Sequence, residues 1–236
     1  MTMPAFSASH WQAHLTLKFS GRDDKTFISH RKHHGPLVIQ KPFYPEDKVC
    51  HVYLLHPPGG VVGGDQLTLD VEVNQSGHVL ITTPAAGKFY RSDGRVAELR
   101  QSLNVKSGSA LEWCPQENIL FSGCEVTMKT IVQLEDDASF VGWEIICLGR
   151  PASDELFEHG RARQGFEIWR NNKPLMLDRA QLAGSDDVLF AKWGMQNYTV
   201  SGTMMAVNVN KEMLQQVRDS MPKIHQGFLC ATLIND

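Results

Sequence analysis

Residues 56–67 read HPPGGVVGGDQL, and they are the first place to look for chemistry. Two prolines and the four glycines Gly59, Gly60, Gly63 and Gly64 precede a carboxylate, Asp65. Glycine-rich loops cradle phosphates when they end in lysine and a hydroxyl residue, because the lysine neutralises the β- and γ-phosphates. The Gly59–Gly64 spacing fits that pattern, but Asp65 and Gln66 stand where the lysine and hydroxyl are needed. A carboxylate there repels phosphate, and the strand-like segment that follows offers no helix N-terminus to an anion. The glycines also lack the dinucleotide-binding spacing. Two readings of Asp65 remain: a turn carboxylate that hydrogen-bonds nearby amides, or an inward-pointing hard oxygen for a passing cation.

Other constellations carry less. There is no G-x-S-x-G elbow and no H-E-x-x-H helix. His10 and His14 have zinc-like spacing only on a helix; in the strand-like setting of HLTLKF they would lie roughly 13 Å apart. The cluster His30, Arg31, Lys32, His33 and His34 offers metal ligands, but a solvated basic loop is the expected reading. Five scattered cysteines without a C-x-x-C pair fit reduced thiols in a cytoplasm, not a disulfide framework or a zinc site. The net charge of −3 supplies no basic field for nucleic acid. The start, MTMPAFSASHWQAHLTLKF, does not read as a secretory signal, and no apolar run reaches about 18 residues, so no membrane span is expected.

The elements that must position these residues follow a period of two. QLTLDVEV places Leu67, Leu69, Val71 and Val73 on one face and polar residues on the other. EVTMKTIVQL repeats this through Val126, Met128, Val132 and Leu134, with Thr130 holding a place on the apolar face. HVLITT, AELRQSLNV, FVGWEIICL, GFEIWR and TMMAVNV are further strand candidates. Turn pairs punctuate them at short intervals: Gly35-Pro36, Glu46-Asp47, Ser76-Gly77, Asp93-Gly94, Ser107-Gly108, Ser122-Gly123, Asp136-Asp137 and Asn171-Asn172. The spacing predicts a mainly β fold, an elongated sandwich- or solenoid-like stack of short strands, although no residue-level repeat is visible. One or two helices are expected near the C-terminus, the clearest capped by Asn210, striped by Met213, Leu214 and Val217, and ended by Pro222. With no linker visible, residues 1–236 are read as one domain.

Several stretches, taken together and in order, resemble one family. HPPGGVVGGDQL is followed by ITTPAAGKFYRSDG, then LEWCPQENILFSG, then GWEIICLGRPASDELFEHG. In this order they are similar to the urease accessory protein UreD (UreH) family, over about residues 11 to 180 and more loosely beyond. The resemblance implies a mainly β, non-enzymatic maturation factor for urease. Its partners would be the accessory protein UreF, the GTPase UreG recruited through UreF, and the urease apoprotein. Nickel would be in transit, with no cofactor held permanently. The resemblance also implies that the usual C-terminal segment of the family is missing here, and that a glycine-glutamate turn after Arg150-Pro151 is replaced by Ser153-Asp154-Glu155.

The family pattern singles out Asp65, Lys88, Tyr90, Glu117 and Arg150, with Glu144 on the GWEIICLG strand. A chain that passes Ni²⁺ needs oxygen or imidazole ligands held loosely, since soft tight ligands would trap the ion. Asp65, Glu117 and Glu144 have that chemistry, and Lys88 or Arg150 nearby would keep buried carboxylates ionised. Gly59, Gly60, Gly63, Gly64, Lys88, Tyr90 and Arg150 are expected to frame the site. Trp113 and Trp143 are expected in the core. If the C-terminal helix is exposed, Met213, Leu214 and Val217 form a docking stripe for UreF.

Overall fold

Alternating residues put one face of each strand into a shared core, and the turns return the chain to meet it. The structure is a computed structural model and describes residues 10–224 and 226–234. Its strands are β1 (Gln12–Arg22), β2 (Lys25–His34), β3 (Val38–Ile39), β4 (Cys50–Leu55), β5 (Gln66–Val73), β6 (His78–Thr82), β7 (Gly87–Phe89) and β8 (Ala97–Val105). They continue with β9 (Ala110–Cys114), β10 (Asn118–Leu120), β11 (Cys124–Leu134), β12 (Ser139–Leu148), β13 (Gly160–Arg170), β14 (Lys173–Ala183) and β15 (Val200–Ala206). One helix, α1 (Lys211–Ser220), occurs among the described residues.

From β4 to β13 the chain passes back and forth between two sheets. β5, β8, β11 and β13 lie side by side and parallel in the first sheet. β4, β6, β9 and β12 do the same in the second. Parallel neighbours need a crossover, and here each crossover is a strand of the opposite sheet, so the chain winds as a coil. β1 extends the first sheet parallel to β5, and the antiparallel strands β2 and β14 form its two edges. β15 lies antiparallel to β12 in the second sheet. The coils start at Gln66, Ala97, Cys124 and Gly160, so their lengths differ. This is why the solenoid leaves no fixed repeat in the sequence.

Leu67, Leu69, Val71 and Val73 of β5 are all buried, and so are Val126, Met128, Val132 and Leu134 of β11. Each fully buried side chain of this kind contributes about 1.5–3 kcal/mol. Trp113 is fully buried with them. The turn pairs work as their composition suggests: Gly35, Asp47, Ser76, Gly94, Gly108, Gly123, Asp136, Asn171 and Asn172 all have positive φ. Asn210 caps α1, its Oδ1 accepting from the Met213 amide at 2.9 Å.

Strands β3, β4, β7 and β10 are not among the candidates read from the sequence, and two longer ones depart from it further. His30–His34 belong to an edge strand, β2, and not to a loop. β14 was not anticipated at all. Both run along sheet edges with much of their length in solvent, so neither carries the apolar alternation that marks a half-buried strand.

Candidate functional site

Three proline-bearing stretches interrupt the second sheet on neighbouring strands. After β4 come His56, Pro57, Pro58, Gly59 and Gly60; pairing resumes at Val61, which bridges Phe89. After β6 come Thr83, Pro84, Ala85 and Ala86, and pairing resumes in β7. After β9 come Pro115, Gln116 and Glu117, and pairing resumes in β10. Proline cannot donate to a β ladder, so each strand opens there. β12 runs past the breaks uninterrupted, paired with β9 through Gly142 and with β10 from Ile146. Its Trp143–Glu144–Ile145 segment therefore lies level with the Pro115–Glu117 break.

The backbone groups released by the breaks find partners. Thr82 Oγ1 donates to the Cys114 carbonyl at 2.6 Å, and the Gln116 amide donates to Thr83 Oγ1 at 2.9 Å. Trp143 donates its indole Nε1–H to the Pro115 carbonyl at 2.8 Å. This tryptophan thus braces the outside of the break and is only partly buried, whereas Trp113 is in the core as expected.

Asp65 is 1% exposed and both of its oxygens accept from main-chain amides. Oδ1 takes the Trp11 N–H at 2.9 Å and Oδ2 the Val62 N–H at 3.0 Å. The carboxylate therefore ties the glycine loop to the start of β1. Gly64 has φ +94°, and Gly63 lies against Ser92 and the Arg95 carbonyl. Gly60 lies close against the Tyr90 ring, so that an added Cβ would collide with Tyr90 Cε2. Tyr90 in turn meets Phe121 edge to face at 4.9 Å, and the Arg150 guanidinium covers Phe121 at 4.5 Å. Gly60→Ala should lower stability by about 1–3 kcal/mol through overpacking. Thermal unfolding of Gly60→Ala with and without Tyr90→Ala checks this, because removing the ring should relieve most of the added strain.

Arg150 does not serve Asp65 or Glu117. It pairs with Glu155, which also accepts from the Ser122 amide at 3.0 Å, and the Glu155 carboxyl is held below its ordinary range by Arg150 first. Lys88 forms no ion pair among the described residues; its carbonyl accepts from the Val61 amide at 2.7 Å. Glu117 is half-buried, and its side chain has no hydrogen-bond or ion-pair partner among the described residues. Burial, and secondarily the charge of Glu117, raises the Cys147 thiol.

Glu144 points inward, 6% exposed, into the space between the sheets. Gln164 Nε2 donates to its Oε2. Thr130 borders it too, its hydroxyl proton going to Gln101 Oε1 at 2.8 Å. Gln101, Thr130, Glu144 and Gln164 thus form a polar seam in an apolar core. Desolvation, helped by the charge of Asp178, raises the Glu144 carboxyl to about 7.

The sequence reading missed His56, the first residue of the glycine-rich stretch. Its Nε2 is buried without a partner. Burial lowers its pKa against the opposing pull of Asp65, so the ring is neutral at pH 7. An imidazole just ahead of two prolines was the available signal. Asp65, Glu117 and Glu144 are not gathered into one metal site: among the described residues no three His, Cys, Asp or Glu side chains are placed to hold an ion together. Met213 and Val217 are exposed, Leu214 is half-buried, and α1 buries no residue. No helix among the described residues is long and apolar enough to cross a membrane.

Fold and site together define a two-sheet β coil with a framed break in one sheet and ligand-type side chains at that break. Its sequence matches the family described as UreD urease accessory protein over residues 12–235. It is 44% identical over 231 residues to "Urease accessory protein UreD" of Alcanivorax borkumensis, covering 96% of this chain and 78% of that one. The protein of the same name from Citrobacter koseri is 41% identical over 225 residues, covering 95% of this chain and 77% of that one. The chain belongs to the UreD family of urease accessory proteins. The family match continues well past residue 180, where the recognisable stretches end.

Proposed function

We propose that the protein is a urease maturation factor that binds apo-urease and the UreF–UreG accessory proteins and supports GTP-dependent nickel insertion into urease. The observation that carries the metal part is the stacked break in the second sheet. Glu117 offers an unpartnered carboxylate there, His56 offers a buried neutral imidazole nitrogen, and Glu144 lies on the inner side at the same level. Imidazole and carboxylate suit Ni²⁺ without the tight grip of thiolate. Glu144 holds its proton to about pH 7, so an arriving cation displaces that proton and a departing one lets it return. We assign Asp65, whose oxygens already serve two amides, to the frame of this path.

The docking part rests on the C-terminal third. Leu177, Trp193, Val200, Met204, Met213, Val217 and Phe228 are exposed large apolar residues there, Trp193 at 78% and Met204 at 68%. Large apolar side chains left in solvent are what a protein partner covers. The Met213–Leu214–Val217 stripe lies on α1, which buries no residue, and we assign it to UreF.

The test is co-expression with apo-urease, UreF and UreG, measuring both co-purification and the nickel content of urease. Glu117→Ala and Glu144→Gln should each lower nickel several-fold while the complex still forms. Full nickel loading with both variants would favour the alternative, a structural β interaction module with no direct metal role. The framing contacts of Asp65 and Arg150 are the observations on its side.

A further inference from the structure

We propose that the outer face of the β1–β2 ribbon carries a separate binding site for a divalent transition metal, formed by His14 and His34 and supported by Asp70. It lies on the first sheet, outside the break, and is independent of any passage of nickel through the interior.

The register places the two histidines together. β1 and β2 are antiparallel, and His14 pairs directly with His34. Residues directly opposite in such a pair share a face, with Cβ atoms about 4.5–5.5 Å apart. Ala13, Leu15, Leu17 and Phe19 of β1 are buried, so His14 and its cross-strand partner point to solvent.

Asp70, on the adjacent strand β5, orients one of the rings. Its Oδ2 lies 2.6 Å from His14 Nε2. With the ring proton on Nε2 and donated to that carboxylate, Nδ1 keeps its lone pair for a metal. A carboxylate behind a histidine in this way fixes the tautomer and raises ligand basicity, the usual outer support of a metal-binding imidazole. His34 is exposed and has no hydrogen-bond or ion-pair partner among the described residues, so its ring turns toward the same ion without breaking a contact.

The neighbours explain why the site lies at this end of the ribbon. His30 pairs with Lys18, whose ammonium is bound to Glu72 at 3.2 Å, so no second imidazole stands opposite it. His33 and Arg31 pair with the inward-facing Leu15 and Leu17 and so belong to the other face of β2. Two imidazoles select nickel, copper or zinc over magnesium or calcium. Since no third ligand-type side chain among the described residues joins them, water completes the coordination, and the ion is held weakly and exchanges readily.

The experiment is calorimetric titration of the tag-free full chain with NiCl₂, alongside circular dichroism to confirm that each variant is folded. One Ni²⁺ site is expected to weaken at least about tenfold in His14→Ala and in His34→Ala, and about tenfold in Asp70→Asn, which removes only the outer support. His33→Ala, on the opposite face, should bind as the parent does, and MgCl₂ should give no heat at this site. Unchanged Ni²⁺ affinity in His14→Ala/His34→Ala, or an equal loss in His33→Ala, would overturn the assignment.

Discussion

Asp65→Ala should destabilise the protein by about 2–4 kcal/mol, since each of two partly buried amides left without an acceptor costs about 1–3 kcal/mol. The amides are those of Trp11 and Val62, both in partly buried bonds, and Asp65 itself is almost wholly buried, so water replaces the carboxylate only in part. A loss of that size is a large share of the 5–15 kcal/mol that holds a typical domain folded. The damage should also spread. Beside these two bonds, the Gln66 amide donates to the Trp11 carbonyl at 2.8 Å and the Glu98 amide to the Asp65 carbonyl at 2.8 Å. The loop, the start of β1 and β8 therefore loosen together. Asp65→Asn keeps one accepting oxygen but turns an NH₂ group toward the other amide, and should recover only part of the loss. Urea unfolding of the three proteins gives the order, and a parent-like midpoint for Asp65→Ala would refute the anchoring role. The same result governs how urease assays are read: nickel lost in Asp65→Ala reports a broken frame, whereas nickel lost in Glu117→Ala reports a missing ligand.

How far the fold could be read in advance depended on how each element is stabilised. β5 and β8 begin and end where their alternation does, at Gln66–Val73 and Ala97–Val105, because each buries one face. α1 was legible from the Asn210 cap and Pro222, although it buries nothing. β2 and β14 were illegible because main-chain pairing holds them at the sheet edges, and pairing leaves no mark on side-chain type. The site divides along the same line. Gly60, Tyr90 and Arg150 stood out by family pattern, yet their arrangement as one chain of contacts through Phe121 depends on packing between distant segments. The stacking of three proline breaks is likewise a matter of register between strands some thirty residues apart, and no local period encodes it. Glu144 illustrates the limit most sharply. Alternation with Trp143 in the core would have turned it outward; it faces inward instead, among Gln101, Thr130 and Gln164 on three strands of the opposite sheet.

That seam leads to the second large effect. Glu144→Gln should make the protein more stable than the parent at pH 8 by up to about 3 kcal/mol, the free energy of a shift from 4.5 to about 7. The sign follows from proton linkage. Burial raises the folded-state pKa above the unfolded value, so the folded chain binds the proton more tightly. This contribution is fully present below pH 4.5, falls away as the pH rises, and is gone above about pH 7. There the parent must bury a charge, or take up a proton, in order to fold. Glutamine avoids this: its carbonyl accepts from Gln164 and its NH₂ donates to the Thr130 hydroxyl, which passes its own proton to Gln101. Urea unfolding of both proteins at pH 5 and pH 8 should show curves that nearly coincide at the lower pH and separate at the higher, and parallel curves would refute it. A more stable variant that nevertheless delivers less nickel to urease would remove misfolding as the cause. It would also account for an ionisable group kept in an apolar core at neutral pH, where its only structural effect is to weaken the fold.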